Sequence, residues 1–231
     1  PVADQTFRVT YNRAFKSPSI LQTSFWFQDF QPFVGVFGNR NGFVIKDPNG
    51  TVKSNIDAIQ PETNTTWELG YKGIAAEKLF IDVAGYYTKF DKFQSPLVII
   101  ANFLTPAAAG GPTFAYDAVT GEKMVGKTGG NQIALTYFNV GTATVHGADL
   151  GVRYLFTPTI DLNATTSLQK VDKITRKATD PPEATAFNSP TAKATLGMSF
   201  AELMDKQMSY GWLSRWVTGY DFLSGVNIGR I

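Results

Sequence analysis

Gly121-Glu122-Lys123-Met124-Val125-Gly126-Lys127-Thr128 carries the letters of a phosphate-binding loop, in which glycines and a lysine cradle phosphates at the start of a helix. That chemistry needs a buried strand before the loop and a helix N-terminus after it. Here 116–122 has the composition of a hairpin turn, and Gly129-Gly130-Asn131 stands where a helix would have to begin, so nucleotide binding is not expected. His146 is the only histidine, and a Ser-His-Asp hydrolase or a histidine-based metal site would depend on it alone. Its place in a strand pattern reads as a packed or lumen-facing side chain instead of a reactive one. Asp29 and Asp47 fall in one loop and could share a cation, but their spacing fixes no coordination geometry. These residues give no enzyme, no metal site and no cofactor. Two larger sets remain. Arg8, Glu68, Lys72, Asp82, Asp149, Arg153, Lys193 and Arg215 sit at alternating positions among apolar residues, and Phe25, Trp26, Phe27, Phe30, Phe33, Phe37 and Phe43 crowd one loop.

The alternation that spaces the charges also defines the elements that carry them. In 145–170, Ala148, Leu150, Val152, Tyr154 and Phe156 are apolar, with Asp149, Gly151 and Arg153 between them. After Thr157-Pro158-Thr159, Ile160, Leu162, Ala164, Thr166 and Leu168 take one face and Asp161, Asn163, Thr165, Ser167 and Gln169 the other. Side chains in a strand alternate with period two, so this is a hairpin with one apolar and one polar face. The parity slips between Val145 and Ala148, which places a bulge at Gly147. The same pattern recurs around Phe7-Val9-Tyr11, Trp67-Leu69-Tyr71, Leu79-Ile81-Val83, Ala192-Leu196-Phe200 and Trp212-Trp216-Tyr220, giving about seven strands.

Each arm of the hairpin is about ten residues, and a tilted strand needs about 9 to 11 to cross a bilayer. The connections alternate long and short: 20–60, 92–130 and 173–190 are long, while 75–78, 157–159 and 201–207 are turns. Outer-membrane up-and-down barrels have this pattern, with long external loops and short periplasmic turns. Aromatics fall at both strand ends, Tyr71, Tyr154, Phe156 and Phe200 near the turns and Tyr11, Trp67, Tyr87 and Tyr220 near the loops, as interfacial girdles require. Asp47-Pro48-Asn49-Gly50 and Thr120-Gly121 mark ribbons inside the first two loops. Charged residues are 17%, below the roughly 25% of soluble domains. A net charge of +2 gives no footing for nucleic acid, and the absence of cysteine suits an oxidising compartment.

These stretches also resemble a family. Phe7-Arg8-Val9-Thr10-Tyr11-Asn12-Arg13-Ala14-Phe15-Lys16-Ser17-Pro18-Ser19 is similar to the strand end aromatic-x-Arg-Ala-Phe-Arg-x-Pro-Ser in the barrels of TonB-dependent outer-membrane transporters. Pro61-Glu62-Thr63 through Glu68-Leu69-Gly70-Tyr71-Lys72-Gly73 resembles a second strand of that family, Asp82-Val83-Ala84-Gly85-Tyr86-Tyr87 the one after it, and Asn139-Val140-Gly141 to Gly147-Ala148-Asp149 a further one. The resemblance implies a 22-stranded barrel with a plugged lumen that imports a scarce nutrient with energy relayed from the inner membrane. It implies as partners the plug domain of the same protein, the TonB energy-transducing complex and outer-membrane lipid. The family's plug and TonB-engaging segment are expected before Pro1, and at least one more strand after Ile231. Residues 1–231 thus read as one partial transporter barrel domain in the cell outer membrane.

On this reading the fold is all-β, a partial transmembrane antiparallel up-and-down barrel. The eight charged residues line the lumen, where they bond to water and to a plug; a merely solvated wall explains them equally. Phe25, Trp26, Phe30 and Phe33 are candidate ligand contacts, although the core of the loop ribbon is the favoured role for that cluster. Ferric siderophore, haem, cobalamin, oligosaccharide and peptide all remain open as ligands. A passive outer-membrane porin is the alternative, and a soluble β-sandwich ligand-binding module a weaker one.

Overall fold

The computed structural model describes residues 4–31, 33–124, 132–175, 187–224 and 227–230. In chain order the elements are β1 (Gln5–Lys16), α1 (Ile20–Thr23), β2 (Trp26–Gln31), β3 (Val34–Phe37), β4 (Phe43–Lys46), β5 (Val52–Ile56), β6 (Glu62–Ala75), β7 (Leu79–Asp91), β8 (Val98–Asn102), β9 (Phe114–Asp117) and β10 (Ile133–Thr136). Then come β11 (Thr142–Thr157), β12 (Ile160–Ile174), β13 (Ala192–Glu202), α2 (Leu203–Lys206), β14 (Met208–Val217), β15 (Asp221–Ser224) and β16 (Asn227–Arg230). Among the described residues no helix is long and apolar enough to cross a membrane, a fact without bearing on strands.

Seven strands form one antiparallel sheet in the order β1-β6-β7-β11-β12-β13-β14, each beside its sequence neighbour in the wall. Short turns join β6 to β7, β11 to β12 and β13 to β14, and the long connections leave from the opposite end. Because paired residues share a face, the register sorts the side chains. One face carries Phe7, Tyr71, Val83, Leu150, Thr166, Ala194 and Trp216 in a single cross-strand row. Val9, Leu69 and Leu168, in the next row, and Phe15 further along are likewise large, apolar and exposed. Aromatic pairs brace this face at 5.0 Å between Phe7 and Tyr71 and 4.6 Å between Tyr11 and Trp67. An apolar face left unpacked along a whole wall is what lipid contact requires.

Three sequence-based expectations are corrected. There is no bulge at Gly147: β11 pairs with β7 without a break from Thr142 to Tyr154. The irregularity lies on the neighbouring strand, where Thr144 pairs with Lys173 and Val145 with Val171, leaving Asp172 as the extra residue. Gly147 is glycine because the Tyr86 ring and the Leu168 carbonyl oxygen occupy the space a Cβ would need. The parity slip is genuine but has another origin: Ala143 and Val145 share a face with Asp149 and are buried, because the loops cover that face near its outer end. His146 is not lumen-facing either. It occupies the row of Tyr11, Trp67 and Tyr87 on the apolar face, and its Nδ1 meets the Asp172 carboxylate at 2.5 Å. Lastly, the seventh strand stops at Val217; Tyr220 lies beyond it, and Asp221 opens a separate hairpin of β15 with β16.

The first two long connections are not separate ribbons. Both expected turns form, with Gly50 at φ +83° and Gly121 at φ +71°. Beyond them, β3 pairs in parallel with β10, so that residues of the first loop and of the second share a sheet ordered β2-β3-β10-β8. A second sheet, β5-β4-β9, joins the same two loops. Phe37, Phe43, Ile45, Ala101, Ala115, Met124 and Ala134 form a buried core between them. The fully buried Asn39 donates through Nδ2 to the carbonyls of Asp57 and Tyr137, both at 2.9 Å, and accepts from the Gly42 N–H at 3.0 Å. The outcome is one packed loop body. Asn139 ties it to the wall: its Nδ2 donates to the Gln60 and Lys92 carbonyls and its Oδ1 accepts from the Gln60 N–H. Buried Glu62, at the start of β6, accepts from the Gln94 N–H at 2.7 Å.

Candidate functional site

The face opposite the apolar one is concave, and two cavities of about 580 and 640 Å3 open on it. Its central row runs Arg8, Gly70, Ala84, Asp149, Ser167, Lys193, Val217. The row towards the short turns runs Thr6, Lys72, Asp82, Gly151, Thr165, Thr195, Arg215, and the row towards the loops Thr10, Glu68, Tyr86, Gly147, Gln169. All eight charged residues singled out from the sequence stand on this face. Arg8, Glu68, Asp82, Asp149, Lys193 and Arg215 border the larger cavity, and Lys72, Asp82 and Arg153 the smaller.

Several are paired. Arg8 reaches Glu68 through Nε at 2.9 Å and Nη2 at 2.8 Å, crossing the backbone of Gly70, where any Cβ would collide with its side chain. Lys72 lies 3.3 Å from Asp82, and Arg153 donates through Nε to Asp161 at 3.2 Å. Among the described residues Asp149, Lys193 and Arg215 have no ion-pair partner, so the centre of the face offers free charge of both signs. The pairs add little to stability, since with side chains 46% and 31% exposed for Arg8 and Glu68 such contacts contribute about 0–1 kcal/mol. What they provide is a water-facing surface of donors and acceptors. Asp161, Asn163 and the hydroxyl pair Thr165–Thr195 extend it. Alternation had put Asp161 and Asn163 on the polar face, but only the register shows that Asp161 holds Arg153.

The loop aromatics divide between two roles. Phe37 and Phe43 are core, while Trp26 packs edge-on against Phe37 at 5.1 Å and stays 44% exposed. Phe25 and Phe27 stack at 5.8 Å and are partly exposed. Phe33 is exposed and holds φ +79°, a region that bulky residues rarely enter, while its carbonyl accepts from the N–H groups of Gln132 and Ile133 at 2.7 and 2.9 Å. The side chains of Asp29 and Phe30 lie outside the described residues. So do Gly126, Lys127 and Thr128 of the phosphate-loop letters; Gly121 sits in a hairpin turn, and Lys123 stands 4.0 Å over the Phe114 ring. Asp47 is engaged by Lys53 at 3.3 Å and by the N–H groups of Asn49 and Thr51. Among the described residues no three His, Asp or Glu side chains stand together as a metal site.

Comparison with known proteins gives the following. A family model described as "TonB dependent receptor-like, beta-barrel" matches residues 1–229. No curated protein matches the chain. Among solved structures, the FrpB iron transporter from Neisseria meningitidis (F5-1 variant) is similar at 14% identity and a TM-score of 0.54, over 96% of this chain and 26% of that one. The siderophore receptor PirA from Pseudomonas aeruginosa aligns at 13% identity and a TM-score of 0.54, over 94% of this chain and 32% of its own. A mutant of the ferric enterobactin receptor from the same organism aligns at 12% identity and a TM-score of 0.54, over 94% and 26%. At these identities the likeness concerns the fold, and the chain spans about a quarter to a third of the length of these relatives.

Proposed function

The chain belongs to the TonB-dependent receptor β-barrel family, an outer-membrane family, and from that premise we propose that it forms part of the wall of an active importer of a scarce nutrient. The concave charged face is the lumen wall in this reading, and a plug domain of the same protein, driven by the TonB complex, moves against it. The observation that carries the proposal is the contrast between the two faces. One is a continuous exposed apolar surface, and the other holds mixed charge, part of it unpaired, in open cavities. A charged side chain costs about 2–4 kcal/mol at the bilayer midplane on a barrel's outer surface and little in a wet interior, so only this orientation suits both faces.

The loop body supports import over passive diffusion. Phe90, Ala143 and Ile174 lie in one row on the charged face at its outer end. Ile174 packs against the loop cluster of Val98, Phe138 and Val140, so the loops fold inwards. The ligand is one too large or too rare for a diffusion pore: a ferric siderophore, haem, cobalamin, an oligosaccharide or a peptide. The iron and siderophore relatives make a ferric chelate the first to assay. Phe25, Trp26 and Phe33, aromatic and exposed on the loop body, are the contacts proposed for it, with Phe27 beside them. Uptake of radiolabelled ferric chelates by cells expressing the full-length protein is expected to stop when TonB is deleted or the proton gradient collapsed. Uptake that persists under both conditions would assign a passive porin.

A further inference from the structure

Among the described residues of the wall strands, cations on the apolar face stand at its outer end, and the register shows how they are set. Arg13, Thr65, Lys89 and Thr144 form one row on that face, immediately beyond the row of Tyr11, Trp67, Tyr87, His146 and Lys170. Arg13, Lys89 and Lys170 thus sit on alternate strands, about 10 Å apart across the sheet. Lys170 is two positions lower in register than Lys89. The outer strand ends also step down in register from β1 to β14, as tilted strands require, so Lys170 stays level with Lys89. All three side chains are exposed. Two carboxylates approach them: Asp91 lies 3.0 Å from Lys89, and Asp172 is engaged by His146. Among the described residues Arg13 and Lys170 have no ion-pair partner.

We propose that Arg13, Lys89 and Lys170 form a docking surface on the outside of the wall for the phosphorylated headgroup of an outer-leaflet lipid. The aromatic row fixes the depth, since Tyr and Trp rings on a lipid-facing surface mark the headgroup boundary. Arg13 and Lys89 stand one step further out, and Lys170, in the aromatic row, comes level with them through the strand tilt, at the level of lipid phosphates. Thr65 and Thr144, between them in the row, add hydroxyl donors. A lipid headgroup is the occupant because the rows below the cations are mainly apolar, so acyl chains lie against Leu150 and Val83 while the headgroup meets the cations. Free phosphate would gain nothing from the rows below.

The inference rests on the membrane orientation proposed above, and its test is independent of transport. Full-length protein in detergent would be titrated with bis-phosphorylated lipid A, or with lipid A whose phosphates have been removed, and retained lipid counted by native mass spectrometry. The wild type is expected to retain the phosphorylated form, and Arg13→Gln/Lys89→Gln/Lys170→Gln to bind it at least about tenfold more weakly, as about 1 kcal/mol per cation at an anionic surface implies. Lys46→Gln/Lys53→Gln/Lys123→Gln, an equal change of charge in the loop body, should bind as the wild type does. Equal binding by the two triple variants, no preference for the phosphorylated lipid, or displacement by millimolar inorganic phosphate would each overturn the proposal. If a cysteine replacing Asn49 proved unreachable by an impermeant reagent on whole cells, the orientation itself would be at fault, whatever lipid is retained.

Discussion

Replacing Leu150 by arginine should damage the barrel in a way that the same change at Leu162 does not. On β11, Leu150 lies four residues from Tyr154 and four from His146, so it stands about 13 Å along the strand from each end of the apolar band. Strand tilt reduces that to a height of about 10 Å, close to the middle of a band about 25 Å tall. The side chain is 42% exposed among the described residues. An arginine at the midplane costs about 2–4 kcal/mol, which lowers the folding equilibrium by about 30- to 700-fold. Leu162 instead pairs with Tyr154, at the inner edge of the band. There the cost falls to about 0–1 kcal/mol, because the guanidinium can reach the interface.

The full-length variants would be folded into lipid vesicles and their stability read by denaturant titration with heat-modifiability on gels. Asp149→Lys, one position along the strand and on the charged face, should fold almost as the wild type does. Leu150→Trp should also be tolerated, since lipid chains rearrange around a larger ring, whereas a close-packed core loses about 1–3 kcal/mol to overpacking. Equal losses for arginine at Leu150 and Leu162 would refute the depth assignment. Rejection of tryptophan at Leu150 would mean that protein, not lipid, covers this face.

Two further outcomes concern the loops. Asn39→Ala leaves the carbonyls of Asp57 and Tyr137 without their buried donor, and should destabilise the loop body by about 1–3 kcal/mol. Hydrogen exchange should then rise in β3, β4 and β10 while β11 and β12 stay protected; uniform loss across the wall would contradict a separately packed loop body. In the Asp117 turn, burial works to raise the carboxyl's pKa, but donors on Thr120, Asn41 and Val119 outweigh it and hold the pKa below the ordinary carboxylate value. A depressed carboxylate contributes stability that is present above its unfolded pKa and lost as pH falls through the folded one. A spin label on Val119 should therefore keep its neutral-pH mobility through the ordinary carboxylate range and become mobile only below it. Loosening already near neutral pH would show that the hydrogen bonds do not govern the turn.

The wall was readable because each of its strands obeys one rule over many residues. Period two persists for eight or more positions in 148–156 and 160–168, and one polar and one apolar face determine register once neighbours pair. The errors cluster where a second layer intervenes. Gly147 looked like a bulge because a strand glycine signals either irregularity or close approach, and nothing local says that the Tyr86 ring lies across it. His146 reads as packed or lumen-facing because its neighbours Val145 and Ala143 are apolar on the charged side, where the loop cluster of Val98, Phe138 and Val140 packs nearby. The loop body itself left almost no signal. Val34-Gly35-Val36-Phe37 and Ile133-Ala134-Leu135-Thr136 are four-residue runs without alternation, and their parallel pairing joins segments about a hundred residues apart.

The same contrast bears on where ligand specificity could reside. The wall's charges follow from a local pattern and have water as a ready partner, so single changes there are cheap and can drift. The loop body depends on directional contacts between distant segments: the buried Asn39 satisfying two carbonyls, the buried Thr136 donating to the Phe37 carbonyl, and, nearer the surface, Asn139 joining Gln60 to Lys92. Each unmet partner in such a network costs about 1–3 kcal/mol, so its frame resists change. Phe33 is held by that frame at a backbone angle costing about 1–3 kcal/mol, with its ring left exposed. A rigid frame that carries an exposed, strained aromatic can exchange the ring for another side chain without refolding, and this makes Phe33 the position at which a change of ligand should be sought first.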